Sequence, residues 1–387
     1  MEIDDLKPRV IENPSISVIM CVYNTPRNKL EEAINSVSCQ QFKDYEFIII
    51  DDHSTLDETT EFIKRFKTNW DVDLREQRLL IHRNPENFGL AYCRNYGIAK
   101  AKGKWVYFID SDDYMWGLTL KNMTEIINLW EAVTNYELDM VIGDCVRSDK
   151  RIPLGSTTGD GPVYYDRYDA LKEICSFSEV PSNIYKSHEL QFNASWNKLI
   201  KRSILYDDDA KKFLVKFKEG YPHEDNFTMH NILYNCSGIL FLPLQTYLYR
   251  YGGAFADGKQ FKDICMVQAK EERQKFLEDW YKLAIDGKVG ELEPPNMPCG
   301  ITRANLWKSN SLSIEDKIRY LVNNNYAWIM YNMYRYYCAT NDKSVFKDIL
   351  TKIENGEIDL SQVHCKALLK RIKKILEEES NESSDNL

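Results

Sequence analysis

Apolar runs recur through the first third of the chain, and each stops abruptly at a polar residue. Ile16–Tyr23 is hydrophobic apart from Ser17 and ends at Asn24. Tyr45–Ile50 ends at the pair Asp51 and Asp52, Arg78–Arg83 encloses Leu79, Leu80 and Ile81, and Trp105–Ile109 runs into Asp110-Ser111-Asp112-Asp113. Runs without polar alternation predict strands covered on both faces. Helical patterns separate them. Thr25-Pro26 caps a helix with Pro in its first turn and Leu30, Ala33, Ile34 and Val37 on its inner face. The next carries Phe62, Ile63 and Phe66, and a third runs from Gly89 to Ala101 with Gly103 as its stop. This β-α-β-α-β-α-β order predicts an α/β fold with a Rossmann-like, doubly wound, mostly parallel sheet, whose ligands bind outside the carboxyl ends of the strands. Asn24, Asp51, Asp52, Asp110 and Asp112 all fall at that edge.

Beyond residue 116 the pattern loosens. It predicts a helix over 118–135, an apolar strand Leu138–Ile142 and a Gly/Ser/Thr-rich loop over 155–161. A second apolar run, Ile239–Leu244, continues into Tyr247–Tyr251. Glu291–Pro298 reads as a linker or long turn, Trp307–Cys338 and Val345–Glu377 as helical, and Glu377–Leu387 as a disordered acidic tail.

The 387 residues, 43% hydrophobic and 28% charged, suit a soluble globular protein with a sizeable core. A net charge of -9 without a basic stripe excludes a dedicated nucleic-acid binder. The 10 cysteines form no CxxC pair, and several, such as Cys21 and Cys145, sit in apolar runs, as free thiols of a reducing cytoplasm do. Met1–Pro8 is too acidic for a signal peptide. No uncharged apolar run reaches the roughly 18 residues of a membrane-spanning helix. Between Lys366 and Lys374 an amphipathic basic helix is expected, with Val363, Leu368, Ile372, Ile375 and Leu376 on its apolar side. It suits peripheral contact with an anionic membrane, but Glu377-Glu378-Glu379 offsets part of that attraction and favours an ordinary helix packed on the body or on another subunit.

Carboxylates one residue apart on a turn, as Asp110 and Asp112 are, can grip a hard divalent cation, which can in turn hold a diphosphate. Most Asp-rich turns are solvated loops or helix caps. The second strand ending in paired aspartates strengthens the functional reading.

Ser17–Asn24, Ile48–Ser54, Asn87–Gly97 and Phe108–Asp113, in this order and spacing, together with Glu224-Asp225, resemble the inverting, metal-dependent glycosyltransferases of family 2, with the GT-A fold. The resemblance covers roughly residues 14–251. It implies a transferase of hexosyl or N-acetylhexosaminyl groups, a UDP-sugar donor, a glycan or glycolipid acceptor, Mn²⁺ or Mg²⁺ as cofactor, and work on a bacterial surface polysaccharide. Tyr23 and Asp51 would hold uracil and ribose, with Asn24, Asp52 and Ser111 on the same donor side. Arg94 would face the diphosphate, Asp112 would be the main metal ligand, and Asp110 would bind the ribose or sugar and help to position the ion. Asp225 would be the general base, with Trp196, Lys198 and Glu224 on the acceptor side. The implied layout is a GT-A domain over 1–255, with a donor half (1–115) and an acceptor half (116–255), then a mainly helical region over 256–376. His53 stands where the family usually has Gly, and Leu56 where it commonly has Asp, so the fit around the nucleotide differs there. Tyr249–Gly253 resembles the segment that forms a mobile loop over the donor in many members.

The chemistry independently asks for such residues. Expelling a nucleoside diphosphate from an anomeric carbon needs its charge neutralised, and a carboxylate must take the acceptor hydroxyl's proton on the opposite face of the sugar. Plainer roles exist for each residue. Asp51 and Asp52 could cap the following helix, Arg94 could form a surface ion pair, and Glu224-Asp225 could be first-turn charges. Trp196 suits core packing better than a sugar platform. Asp207-Asp208-Asp209 reads as a solvated run, and His223 as incidental or as a neighbour of metal or acceptor. A nucleotidyltransferase would also place aspartates at such an edge, but would carry a Gly-rich basic loop where Tyr23-Asn-Thr-Pro26 stands. A non-catalytic nucleotide-sugar module would not need carboxylates at both the turn and position 225. Homo-oligomerisation is compatible with the sequence.

Overall fold

The apolar runs become a single large sheet in the structure, a computed structural model that describes residues 13–73, 78–159, 161–176, 188–250, 264–289, 295, 297–298, 300–304, 307, 312–358 and 367–375. The Met1–Pro8 segment, most of Glu291–Pro298, Tyr251–Gly253, Val363, Lys366 and the 377–387 tail lie outside the described residues.

The elements run β1 (Ile16–Val22), α1 (Arg27–Ser38), β2 (Tyr45–Asp51), α2 (Asp57–Asp73), β3 (Arg78–Arg83), α3 (Leu90–Lys100), β4 (Trp105–Asp110), β5 (Tyr114–Met115), α4 (Thr119–Thr134) and β6 (Met140–Arg147). After these come β7 (Val163–Tyr165), α5 (Arg167–Cys175), α6 (Glu189–Asn193), β8 (Lys198–Lys201), α7 (Arg202–Leu205), β9 (Tyr206–Asp207), β10 (Lys212–Phe213), α8 (Glu224–Asn235) and β11 (Ile239–Tyr249). The last are α9 (Cys265–Ile285), β12 (Thr302–Arg303), α10 (Ile314–Thr340), α11 (Lys347–Glu354) and α12 (367–375).

Two compact units emerge. The first gathers 1–167, 194–253 and 294–304; the second gathers 168–193, 254–293 and 305–387. The first holds a sheet ordered β12-β7-β11-β6-β8-β4-β1-β2-β3, with β5 paired to β11. The strand pairs β1–β2, β1–β4, β2–β3 and β6–β11 are parallel, while β8 lies antiparallel between β4 and β6. The fold is thus α/β with a mostly parallel sheet and a helical C-terminal region, as expected. The buried β1, β2 and β4 (Ile16, Val18, Ile48, Ile50, Val106 and Phe108 among them) form its core. They explain the unbroken apolar runs, since helices cover both faces.

Register aligns the strand ends. Val22 pairs with Asp51, Cys21 with Asp110, and Asp51 with Arg83, so the polar residues that close each run share one edge. At the opposite, amino ends of β1 and β4 the close approach is built with glycine: a Cβ on Gly103 would lie 2.6 Å from the Ser17 backbone nitrogen. The first helix differs from expectation at its start. Pro26 is its N-cap without a side-chain cap, because the Thr25 hydroxyl pairs with Ser111 Oγ at 2.6 Å instead.

In the second unit α9 packs along α10. Leu368 and Ile372 of α12 are buried in a cluster with Val267, Met330, Phe346 and Ile349. The apolar side of the basic helix is therefore taken up by packing, and Lys370, Arg371, Lys373 and Lys374 stay exposed. Among the described residues no helix is long and apolar enough to cross a membrane, and no cysteine is in a disulfide.

Candidate active site

Strand ends, turns and helix residues supply the polar groups at the carboxyl edge of the sheet. The β4 turn, Asp110–Asp113, is the most strongly braced. Asp113 is buried and its carboxylate accepts from the Tyr247 hydroxyl (2.8 Å) and the Arg250 N–H (2.9 Å). The same Tyr247 hydroxyl accepts the Asp110 N–H at 3.1 Å. Ser111 is tied to Thr25, as noted above. Burial pushes the Asp113 carboxyl well above the usual carboxylate range, reinforced by the charges of Asp110 and Asp112. Asp110 is pushed up to about 6, first by burial; Arg94 opposes this, while Asp112 and Asp225 add to it. Asp112 is partly exposed and its Oδ2 lies 4.0 Å from Lys29 Nζ.

Arg94 does not face open solvent. Its guanidinium is almost fully buried, 3.0 Å from Asp110 Oδ1 and ion-paired with buried Glu224, and it lies over Phe108 and Phe217. A buried cation between two carboxylates satisfies the requirement that buried charge be paired. It links the β4 turn to the first residue of α8, where Asp225 follows. Asp225 Oδ1 accepts from the Asn226 N–H (2.7 Å) and from Asn226 Nδ2 (3.0 Å). His223, with φ +59°, turns the chain into α8 in a left-handed conformation.

At the β2 end, Asp51 Oδ1 accepts the Ser54 N–H (2.8 Å) and Oδ2 accepts from Arg83, which also donates to the Ser54 carbonyl (2.8 Å). Asp52 accepts the N–H groups of Phe88 (2.9 Å) and Gly89 (2.7 Å), and Asn84 Nδ2 at 2.7 Å. It caps the approach to α3 rather than the helix that follows it in sequence. Asn24, at φ +51°, takes the N–H groups of Thr55 (2.7 Å) and Leu56 (2.9 Å). Tyr23 beside it is 51% exposed. A cleft of about 580 Å³ opens here, lined by Asp51, Ser54, Thr55, Thr60, Ile63 and Arg83 among others.

The three residues expected on the acceptor side are all buried. Trp196 stacks on Tyr247 (4.7 Å between centroids) and Tyr249 (5.3 Å). Lys198 donates to the carbonyls of Ala194 (2.5 Å) and Trp196 (3.2 Å), and burial pushes its ammonium down to about 7. Asn197 between them, at φ +57°, accepts from Tyr107 Oη (3.0 Å) and Thr246 Oγ1 (2.9 Å) and donates to the Asp144 carbonyl (3.0 Å). The expected solvated run differs in one respect: Asp208 is paired with Arg202.

Asp110 and Asp112 offer only oxygen donors, and the repulsion between them is the kind a hard divalent ion relieves, so the donor set fits Mg²⁺ or Mn²⁺. Among the described residues no three such ligands converge. Sequence reasoning missed Arg83, Lys29, Glu32 and Arg250. Only Arg83 carried a signal, as a cation closing the strand next to Asp51.

Comparison with known proteins gives a consistent picture. Residues 17–207 match the family model described as Glycosyl transferase family 2. Glycosyltransferase GlyG of Streptococcus pneumoniae serotype 4 is 28% identical over 240 residues, 61% of this chain and 70% of that protein. The Escherichia coli UDP-Glc:alpha-D-GlcNAc-diphosphoundecaprenol beta-1,3-glucosyltransferase WfaP is 30% identical over 146 residues, 36% of this chain and 54% of that protein. Among solved structures, S. aureus TarS 1-349 in complex with UDP-GlcNAc aligns with a TM-score of 0.48 at 17% identity, covering 88% of this chain and 92% of that one.

Proposed function

Because residues 17–207 match the model described as Glycosyl transferase family 2, we propose that the chain is a member of that family and transfers a hexosyl or N-acetylhexosaminyl group from a UDP-sugar to a hydroxyl of a glycan or glycolipid, with inversion, in bacterial surface polysaccharide synthesis. The donor and acceptor classes are supported by the name of WfaP, which acts from UDP-Glc on a diphosphoundecaprenol-linked GlcNAc. The observation that carries the reading is Arg94, which joins Asp110 of the β4 turn to Glu224, the residue before Asp225.

In this reading residues 1–255 catalyse, 1–115 on the donor side and 116–255 on the acceptor side. Tyr23 offers an exposed ring to the uracil, next to the cleft that Asp51 and Arg83 line. Asp225 accepts the proton of the acceptor hydroxyl as its oxygen attacks the anomeric carbon, and the C–O bond to the diphosphate breaks with its electrons on the leaving group. Asn226 holds Asp225 Oδ1, which leaves Oδ2 for that proton. Asp110 and Asp112 would hold Mn²⁺ or Mg²⁺, which supplies Lewis-acid neutralisation of the departing diphosphate when bound. Arg94 keeps the turn and the base in register and Glu224 completes that link, while Trp196 and Lys198 support the acceptor wall from behind. Work on the cytoplasmic side, with the basic face of α12 touching an anionic membrane by charge alone, is compatible with these features.

Calorimetry of UDP binding with Mn²⁺ and with EDTA tests the donor side. Binding that requires metal and is weakened in Asp112→Ala is expected; a wild-type protein that binds UDP under neither condition contradicts the proposal.

A further inference from the structure

The β4 turn is held from two directions, and one side chain joins them. Arg250, the last described residue after β11, has a side chain only 6% exposed. Its backbone N–H goes to Asp113, as described above. Its guanidinium goes elsewhere: NH1 donates to the Asp112 carbonyl at 3.0 Å, and NH2 is paired with Glu32 of α1. Lys29, just under one helical turn before Glu32, brings its ammonium to within 4.0 Å of the Asp112 carboxylate. The backbone of β11 thus secures Asp113. The Asp112–Asp113 peptide is held on one side by its N–H, which donates to the Asp110 carbonyl at 3.2 Å, and on the other by the Arg250 side chain at the Asp112 carbonyl.

We propose that Arg250, anchored by Glu32, is a positioning residue that fixes the backbone of Asp112 so that its carboxylate points to one place. The inference deepens the functional reading and rests on Asp112 being a metal ligand. A partly exposed Asp in a turn has several rotamers and a mobile peptide, and a ligand gains affinity when its surroundings remove that freedom. A fixed guanidinium fork can bond a carbonyl and a carboxylate together, which a lysine cannot do in the same geometry. Glu32 is 42% exposed, so its role is to orient Arg250 rather than to fill the core.

The test uses the full chain as wild type, Glu32→Gln, Arg250→Gln and Arg250→Lys. Hydrogen–deuterium exchange over residues 108–114 is measured without metal, and Mn²⁺ affinity by electron paramagnetic resonance. Faster exchange confined to the turn and about tenfold weaker Mn²⁺ binding are expected in Glu32→Gln and Arg250→Gln, with Arg250→Lys recovering part of both. Glu32→Gln keeps the test valid if Arg250→Gln folds poorly. Unchanged exchange at the turn and unchanged Mn²⁺ affinity, beside a lowered thermal midpoint, would overturn the proposal and leave Arg250 a stability residue. If the wild type binds no Mn²⁺, the metal reading fails by itself; exchange then decides the clamp, supported if it quickens at the turn and overturned if it does not.

Discussion

Lys198 carries an amine buried among carbonyls, and its proton is linked to folding. The ammonium is pushed down to about 7 from its usual 10.5, chiefly by burial. Between those values the unfolded chain binds a proton that the folded protein has released, so the Lys198 contribution to stability rises with pH over that window. Below pH 7 both states hold the proton and the burial cost is fully present. Lys198→Met should therefore lose this rise, seen as a smaller difference in denaturant midpoint between pH 7 and about pH 10 than in the wild type. At the neighbouring carboxylate, Asp225→Asn should lower kcat by about 10²- to 10⁴-fold with UDP affinity retained. Equal losses in both would place Asp225 in donor binding instead. The strand-end aspartates were legible at this scale because each interrupts an apolar run. Arg83 was legible only as a cation closing its strand, and Arg250 and Glu32 were not legible, because their partners are distant in sequence and only the fold brings them together.

Elements show where period carries information and where it fails. β1, β2 and β4 were readable because burial on both faces gives an unbroken apolar run. β5, β7 and β12 are 2, 3 and 2 residues long, too short for any period to register. β8 was hidden because the preceding Asn197 must adopt a left-handed backbone, which no pattern announces. Arg94 was read as facing the donor or as a surface ion pair, and its buried link to Glu224 on α8 depends on tertiary packing. Removing one partner by Glu224→Gln should destabilise the protein by about 1.5–3 kcal/mol in a denaturant melt, since a buried charged partner of Arg94 is lost while Asp110 still pairs with it. A midpoint shift of under about 1 kcal/mol would mean that water reaches Arg94. Glycine at the β1–β4 approach gives a second test. Gly103→Ala would press on the Ser17 nitrogen at 2.6 Å and the Ile16 carbonyl carbon at 2.7 Å, both main chain. For Gly97→Ala the three atoms nearest the new Cβ all belong to the Ile19 side chain. Thermal melts should show a loss of about 1–3 kcal/mol for Gly103→Ala and a smaller one for Gly97→Ala.

For the whole molecule, the first unit places the proposed donor residues, the β4 turn and the proposed base on one edge, while the second has a core of its own. The amphipathic α12 was legible as a helix, but whether its apolar side met lipid or protein depended on Leu368 and Ile372 finding Phe346 and Ile349, which lie far from it in sequence. The match to the model described as Glycosyl transferase family 2 spans residues 17–207, and the central proposal is that this edge turns over a nucleotide sugar. The most direct measurement is UDP release from a panel of UDP-sugars, with Mn²⁺ or EDTA and a mixture of candidate lipid-linked acceptors, in the wild type, Asp112→Ala and Asp225→Asn. Release from one donor that needs metal and is lost in both variants is the predicted result. Release that is unaffected by EDTA and by both substitutions would contradict the account.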